Sequence, residues 1–348
     1  GLEFDASSFD LPLGDQYWEM QGSCRTKERL KVRDLIEKYR TGQRHTLGKE
    51  HETLKSGKVY LFKLDCKLDL EGTYIQGKAT GKSSIGRLDV LVRLLADKAE
   101  EFDRVPIDHD GDLYVEVTPI TFDIRVRRGT CLSQLRLFKG PEPLFTAGMQ
   151  ELKYEDEYPV VDRDGNPLQK NSSEFAYPLR VDLTPDPKIG ISYFRAKKEF
   201  PRAISPDKEA HYNPKDFWEG GIIEEDYLEL EPDRLYLLRS KERLRLPPHL
   251  AVECESYTKT LGEWRIEYAG FAHPGFGRSR QDCCGTPLIF EVRGHNIPTL
   301  LEDGLPLGNV RFRKMTRQAT EKQCSSSGEY EYQELRLSKC FTDWPSEA

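Results

Sequence analysis

Residues 81–87 read GKSSIGR and have the composition of an anion site. Gly81 lets the backbone approach a ligand closely. Lys82, Ser83 and Ser84 can donate hydrogen bonds, and Arg87 can fork onto a phosphate. The spacing is not that of a Walker A loop, G-x-x-x-x-G-K-S/T, and composition alone also fits an ordinary polar turn. Two glutamates stand out beside it: Glu116 within LYVEVTP and Glu291 within LIFEVRG. A carboxylate in an otherwise apolar strand costs free energy unless it is paired, and its pKa tends to rise. Such a group can both take and give a proton near neutral pH. The plain alternative is a glutamate on the exposed side of an edge strand.

Other chemistries find less support. The seven histidines (45, 51, 109, 211, 249, 273, 295) are scattered, with no H-E-x-x-H or H-x-E…P-C-x-x-C spacing, so no zinc hydrolase signature is present. The eight cysteines contain no C-x-x-C pair, and only Cys283 and Cys284 are adjacent. They read as reduced thiols of a cytoplasmic protein. Arg125, Arg127 and Arg128 alternate with Ile124 and Val126, which reads as the solvated face of a strand. The aromatic and charged stretch EYEYQELRLSKCF, residues 329–341, is either a closing strand or a tail folded over a ligand. The strand is the favoured reading.

The elements that must position these residues come in two copies. VYLFKLDCKLDLE, from Val59, aligns with LYLLRSKERLRLP, from Leu235, placing Tyr60 on Tyr236 and Leu61 on Leu237. YVEVTPITFDIRVRRGTCLSQLRLFK then aligns without a gap on IFEVRGHNIPTLLEDGLPLGNVRFRK, placing Glu116 on Glu291 at almost the same offset. SFDLPLG near Asp10 resembles RVDLTPD near Asp182 more loosely. Two blocks in one order at nearly one offset indicate a duplicated domain. The halves are expected at 1–153 and 174–348, joined by a polar linker at 154–173, with a turn-rich insertion at 198–218 in the second half only. Short alternating runs separated by Gly and Pro predict strands and a sandwich or barrel. Helices are predicted at 27–40, from Leu30, Val32, Leu35 and Ile36, and more ambiguously at 86–102.

The chain has 348 residues, 32% charged and 37% hydrophobic, with a net charge of −7. That balance argues against a general nucleic-acid binder. No stretch approaches the ~20 apolar residues of a membrane span, and no export leader opens the sequence.

GKSSIGRLDVLVRLLAD, EFDRVP, GDLYVE and RGTCLSQLRLF, with RLYLLRSKERLRLPP, YAGFAHPGFG, LIFEVRGHNIPTLLEDG and YQELRLSK in the second half, together resemble the deoxycytidine triphosphate deaminase family in its long tandem form. The resemblance covers most of the chain outside 27–55 and 185–218. It implies a mainly β fold, a tandem duplication of the dUTPase-like distorted barrel or jelly-roll unit with few short helices. It also implies hydrolytic deamination of dCTP, with cleavage on to dUMP as an extension. The alternatives are a dUTP diphosphatase and a degenerate nucleotide-binding regulator. By the same resemblance Glu116 is the general base and acid, Ser83 helps hold the attacking water, and Arg87 completes their motif. Glu291 matches the same glutamate in the second unit, which has lost the serine-arginine motif. Lys82, Ser84, Gln134, Tyr332 and Gln333 fall at substrate-binding positions. His273 of HPGFG replaces the aspartate of the family's D-P-G-aromatic turn, and the first unit's version is IDHDG, residues 107–111. The expected partner is a deoxynucleoside triphosphate carrying Mg²⁺, without zinc, in a cytoplasmic homotrimer.

Overall fold

The computed structural model describes residues 7–27, 30–140, 158–168, 176–256, 264–266, 270–278, 284–325, 330 and 333–345. Strands dominate them, and the α-helices are three short ones, Val32–Tyr39, Ser83–Gly86 and Glu321–Ser325. The two halves curl their sheets into a nearly closed barrel and a half-barrel. In the first, the order is Val90–Ala96, Asp110–Pro119, Val59–Asp69, Phe9–Met20, Cys131–Lys139, Ile75–Gly81 and Arg104–Val105. All of these neighbours are antiparallel.

The second half repeats this pairing with Tyr177–Asp182, Leu235–Leu244, Leu250–Ser256, Thr286–Gly294 and Pro306–Lys314. The opening strands correspond differently from the loose likeness of Asp10 to Asp182. Phe9 pairs with Leu135 and Tyr177 with Val310, and the ladder shifts register after Leu11 in one unit and after Leu179 in the other. Leu11 therefore corresponds to Leu179, because the bulge sets the register.

Helix Val32–Tyr39 forms inside the predicted 27–40 span. The Lys31 N–H donates to Asp34 Oδ2 at 3.1 Å and the Val32 N–H to Asp97 Oδ1 at 2.8 Å, satisfying donors that a helix start leaves open. Val32, Leu35 and Ile36 are buried against Trp18, Met20, Leu61 and Leu95, whereas Leu30 precedes the helix and is exposed. The 86–102 stretch is not a helix. One turn at Ser83–Gly86 is followed by strand Val90–Ala96, whose Val90, Val92 and Leu94 alternate into the core. Within the polar linker, Val160 and Val161 pair with Leu244 and Arg243 of the second sheet.

The halves share apolar packing. Phe217 and Trp218, at the end of the second half's insertion, lie against Phe122, with ring centroids 5.9 and 5.6 Å apart. Leu335, Leu337, Cys340 and Phe341 join the same cluster. This C-terminal segment is not the predicted closing strand. Its described backbone groups are bound from several sides: the Leu335 N–H donates to Asp186 Oδ2 at 2.8 Å, the Lys339 N–H to the hydroxyl of Tyr330 in the same segment at 3.0 Å, and the Lys339 and Cys340 carbonyls accept from the N–H groups of Ala210, His211 and Tyr212. No described helix is long and apolar enough to cross a membrane.

Candidate active site

Strand Thr286–Gly294 alternates between two environments. Phe290 and Val292 enter the second unit's core, while Ile289 joins the cluster centred on the first unit. Glu291 shares the Ile289 side by strand periodicity. Facing it is the helical turn Ser83–Gly86, followed by Arg87. Arg87 Nε lies 4.0 Å from Glu291 Oε1, with the two residues 2% and 5% exposed. Arg87 Nη1 donates to the carbonyls of Arg336 (3.0 Å) and Leu337 (3.4 Å), and Nη2 donates to Gln333 Oε1 (2.7 Å). Its guanidinium stacks over the Tyr330 ring at 4.0 Å. Two residues along each chain segment, Asp89 pairs with Arg293, which also meets Thr121 Oγ1 at 2.8 Å. Arg87–Glu291 and Asp89–Arg293 thus make a two-rung charge ladder between the units. Asp89 itself adopts φ 59°, a left-handed conformation that aspartate tolerates.

Burial pushes the Glu291 carboxyl up to about 8, with Arg87 pulling the other way. The nearby Cys254 thiol is pushed up to about 12 by burial first and by Glu291 second. Among the described residues, no three His, Cys, Asp or Glu side chains gather as metal ligands.

The other predicted residues spread around this centre. A Cβ placed on Gly270 would lie 3.7 Å from Ser83 Oγ, so the turn leading into HPGFG abuts the first unit's serine. The Ser84 carbonyl accepts from Ser338 Oγ at 2.7 Å. Gln333 bridges the units, accepting from Arg87 and donating through Nε2 to the Pro287 carbonyl at 3.1 Å. Lys82 pairs with Asp10. Gln134 accepts from Ser8 Oγ at 2.9 Å, and Tyr332 lies outside the described residues. Sequence reasoning missed Tyr330, although the aromatic EYEYQ run was a signal for it, and missed the Asp89–Arg293 rung.

Glu116 does not share this centre. Its Oε1 accepts from Ser23 Oγ at 2.6 Å and its Oε2 from the Cys24 N–H at 3.1 Å. Burial raises its pKa, and those two bonds oppose the shift. The physical cause is what covers each sheet. Glu116 sits opposite Leu61 and Glu291 opposite Leu237, equivalent places in the repeat. Leu61 is covered by the segment containing helix Val32–Tyr39, whereas Leu237 belongs to the cluster shared with the first unit. Arg87 therefore meets the second unit's glutamate, not the one in its own unit.

Residues 3–141 match the family model of the 2'-deoxycytidine 5'-triphosphate deaminase N-terminal domain, and residues 149–341 that of its C-terminal domain. The chain belongs to the dCTP deaminase family. It is similar to a solved structure, 2'-deoxycytidine 5'-triphosphate deaminase from Agrobacterium tumefaciens, at 32% identity over 89% of this chain and 90% of that one, with a TM-score of 0.77. No curated protein matches the chain. In this member of the dCTP deaminase family, one chain brings Arg87, Glu291 and Gln333 to a shared buried centre, with Ser83 at the start of the same turn beside Gly270.

Proposed function

We propose that this chain hydrolyses the 4-amino group of dCTP, giving dUTP and ammonia, with Glu291 rather than Glu116 carrying the protons. The observation that supports this reading is the meeting of Arg87 with Glu291 across the two units. A carboxyl raised to about 8 holds its proton at neutral pH, so the acid step comes first. Glu291 protonates N3 of the cytosine ring, which makes C4 electrophilic. Water adds at C4, and the Glu291 carboxylate takes its proton. Glu291 passes that proton to the amino group, the C4–N bond breaks and ammonia leaves; the C4 hydroxyl then gives its proton to the Glu291 carboxylate as the carbonyl forms, so the uracil keeps the N3 proton and Glu291 is protonated again. Ser83 orients the water. Arg87 stabilises the carboxylate while it is ionised and ties it to the C-terminal segment, which screens the centre from solvent.

Lys82, Ser84, Gln134, Tyr332 and Gln333 are the substrate-binding set of this reading. Magnesium arrives with the substrate, where it neutralises phosphate charge. The cleft beside Lys82 and Ser84 contains a single carboxylate, Asp207, so the ion's ligands are phosphate oxygens and water. The reading extends to a cytoplasmic homotrimer with a deoxynucleoside triphosphate as its partner. Light scattering should then return three times the 40.2 kDa chain mass, and a monomer mass would refute the assembly.

Incubation with dCTP and Mg²⁺, with products resolved by chromatography, tests the activity. Release of dUTP and ammonia supports it, and dUMP as the final product adds the second cleavage. Turnover of dUTP alone would make the chain a diphosphatase. Binding without turnover of either nucleotide would make it a regulator.

A further inference from the structure

Strand Ile124–Val126 is bonded on both sides. It pairs with Glu52–Leu54, and on its outer edge the second half's insertion adds one residue in parallel, Ile204. The Ile204 N–H donates to the Asp123 carbonyl at 2.9 Å, and the Arg125 N–H to the Ile204 carbonyl at 2.7 Å. Three residues on, the Asp207 carboxylate accepts from Thr130 Oγ1 at 2.7 Å and lies 3.4 Å from Arg127 Nε and 3.9 Å from His51 Nε2. A backbone bridge followed by an acidic side chain on a basic strand face thus seats the segment, with the Ile204 side chain fully buried.

The second unit has the same pair of strands, Tyr227–Leu230 with Thr299–Glu302. The gapless repeat puts Arg125 on Leu300 and Arg127 on Glu302. The Lys55 N–H reaches the Tyr60 hydroxyl just as the Glu231 N–H reaches that of Tyr236, both at 3.0 Å, so His51 falls on Tyr227. The antiparallel alternation that turns the Arg125 N–H away from Thr53 turns the Leu300 N–H away from Glu229. Among the described residues no backbone bond outside the ladder reaches that N–H, or the carbonyl of Pro298, the counterpart of Asp123. Ile297, in the place of the buried Phe122, is 55% exposed, and Leu300 is 57% exposed. This edge is open where its counterpart is filled.

Its charge is reversed as well. Glu302 stands for Arg127 and Tyr227 for His51. Glu225, by hydrogen bond and by charge, and then Glu229 and Asp226 push the Tyr227 pKa up. Glu225, Asp226, Glu229 and Glu302 are exposed and make no ion pair among the described residues. An aspartate three residues beyond the bridge would meet carboxylates here, so the 204–207 segment of a second copy does not suit the edge. Two copies of this face would also repel each other.

We infer that the outer edge of Thr299–Glu302 docks an extended segment of a different protein, one that places an aliphatic residue opposite Thr299 and a lysine or arginine three residues later. The aliphatic residue donates its N–H to the Pro298 carbonyl and accepts from the Leu300 N–H. Its side chain joins Ile297 as Ile204 joins Phe122. The cation meets Glu302 and the carboxylates around Tyr227.

Two fluorescein-labelled peptides test this by fluorescence anisotropy on the full chain: PRAISPDK, which is residues 201–208, and its Asp207→Lys version. The lysine peptide should bind roughly fivefold or more tighter, with an affinity that falls in added salt. Glu302→Lys in the protein should reverse the preference. Leu300→Pro removes the outward N–H at an edge position of the kind that tolerates proline, and should weaken the lysine peptide roughly fivefold. Both side chains are exposed, so both variants should keep the wild-type melting temperature. Equal affinity for the two peptides, an unchanged preference in Glu302→Lys, or no binding at millimolar peptide would overturn the inference. So would sedimentation in which Leu300→Lys splits an assembly into smaller species, because another copy of the chain would then cover the face.

Discussion

Arg87 and Glu291, from opposite halves of the chain, bring the first unit's anion loop to the second unit's buried carboxylate, with Nε 4.0 Å from Oε1. The equivalent Glu116 is held instead by Ser23 and Cys24 of its own unit. Duplication has left two similar glutamates in different company.

Glu291→Gln should therefore abolish deamination, because an amide of the same shape cannot carry protons. A loss of at least ~10²-fold in kcat is expected, with nucleotide binding retained. Glu116→Gln should stay within a few-fold of wild type, contrary to what the motif order implies. Steady-state kinetics on both variants check this, and the opposite ranking would return the chemistry to Glu116.

The pH profile follows from the acid-first order. Protonated Glu291 is the competent form, so kcat/KM for dCTP should fall as pH rises through about 8. Initial rates between about pH 6 and 10 measure the limb. A rate that climbs through this range would require the ionised form at the start.

Stability should carry the same signature. The folded pKa of Glu291, about 8, lies above the ~4.3 of an unfolded glutamate. The folded chain keeps a proton that the unfolded chain loses, so this group's contribution is complete below ~4.3 and is lost as pH rises through the folded value. Glu291→Gln removes that loss. The variant should gain on wild type between about pH 5 and 8, by on the order of a few kcal/mol. Urea unfolding at several pH values would show a constant difference if Glu291 were ionised throughout.

Arg87 separates charge from geometry. Arg87→Ala removes the cation that pulls the Glu291 pKa down, so the alkaline limb should move to higher pH while kcat falls. Arg87→Lys should leave the limb near its wild-type place. It should still lose roughly 10- to 100-fold in kcat, because an ammonium cannot serve Gln333, two carbonyls and the Tyr330 face together. A limb unmoved in the alanine variant would remove Arg87 from the electrostatics of Glu291.

Much of the fold was legible because the repeat keeps one spacing through its principal strands, and strand alternation marks apolar sides directly. The same alternation exposed Glu116 and Glu291 as carboxylates among valines and a phenylalanine. It could not say which of them meets Arg87, since that depends on whether helix Val32–Tyr39 or the other unit covers the sheet. VLVRLLA suits a helix or a strand equally, and only its pairing with Asp110–Pro119 decides it. The C-terminal segment misled for a related reason: its aromatic residues pack and stack as strand residues would, while its backbone bonds are divided among Asp186, Arg87, Tyr330 and the 210–212 backbone.

Lys78 and Glu253 also occupy equivalent places in the two units, and they meet, Nζ to Oε2 at 3.1 Å. A position that touches its own counterpart lies close to the axis relating the two units. Between identical subunits the same side chain would face itself there, and any charge would repel its twin. Joining the units in one polypeptide removes that constraint, since each copy can then mutate alone. Lysine on one side and glutamate on the other make a junction that two first units, or two second units, could not form without repulsion. The ancestral symmetry has become a polarity, and the fused gene keeps the two partners in equal number.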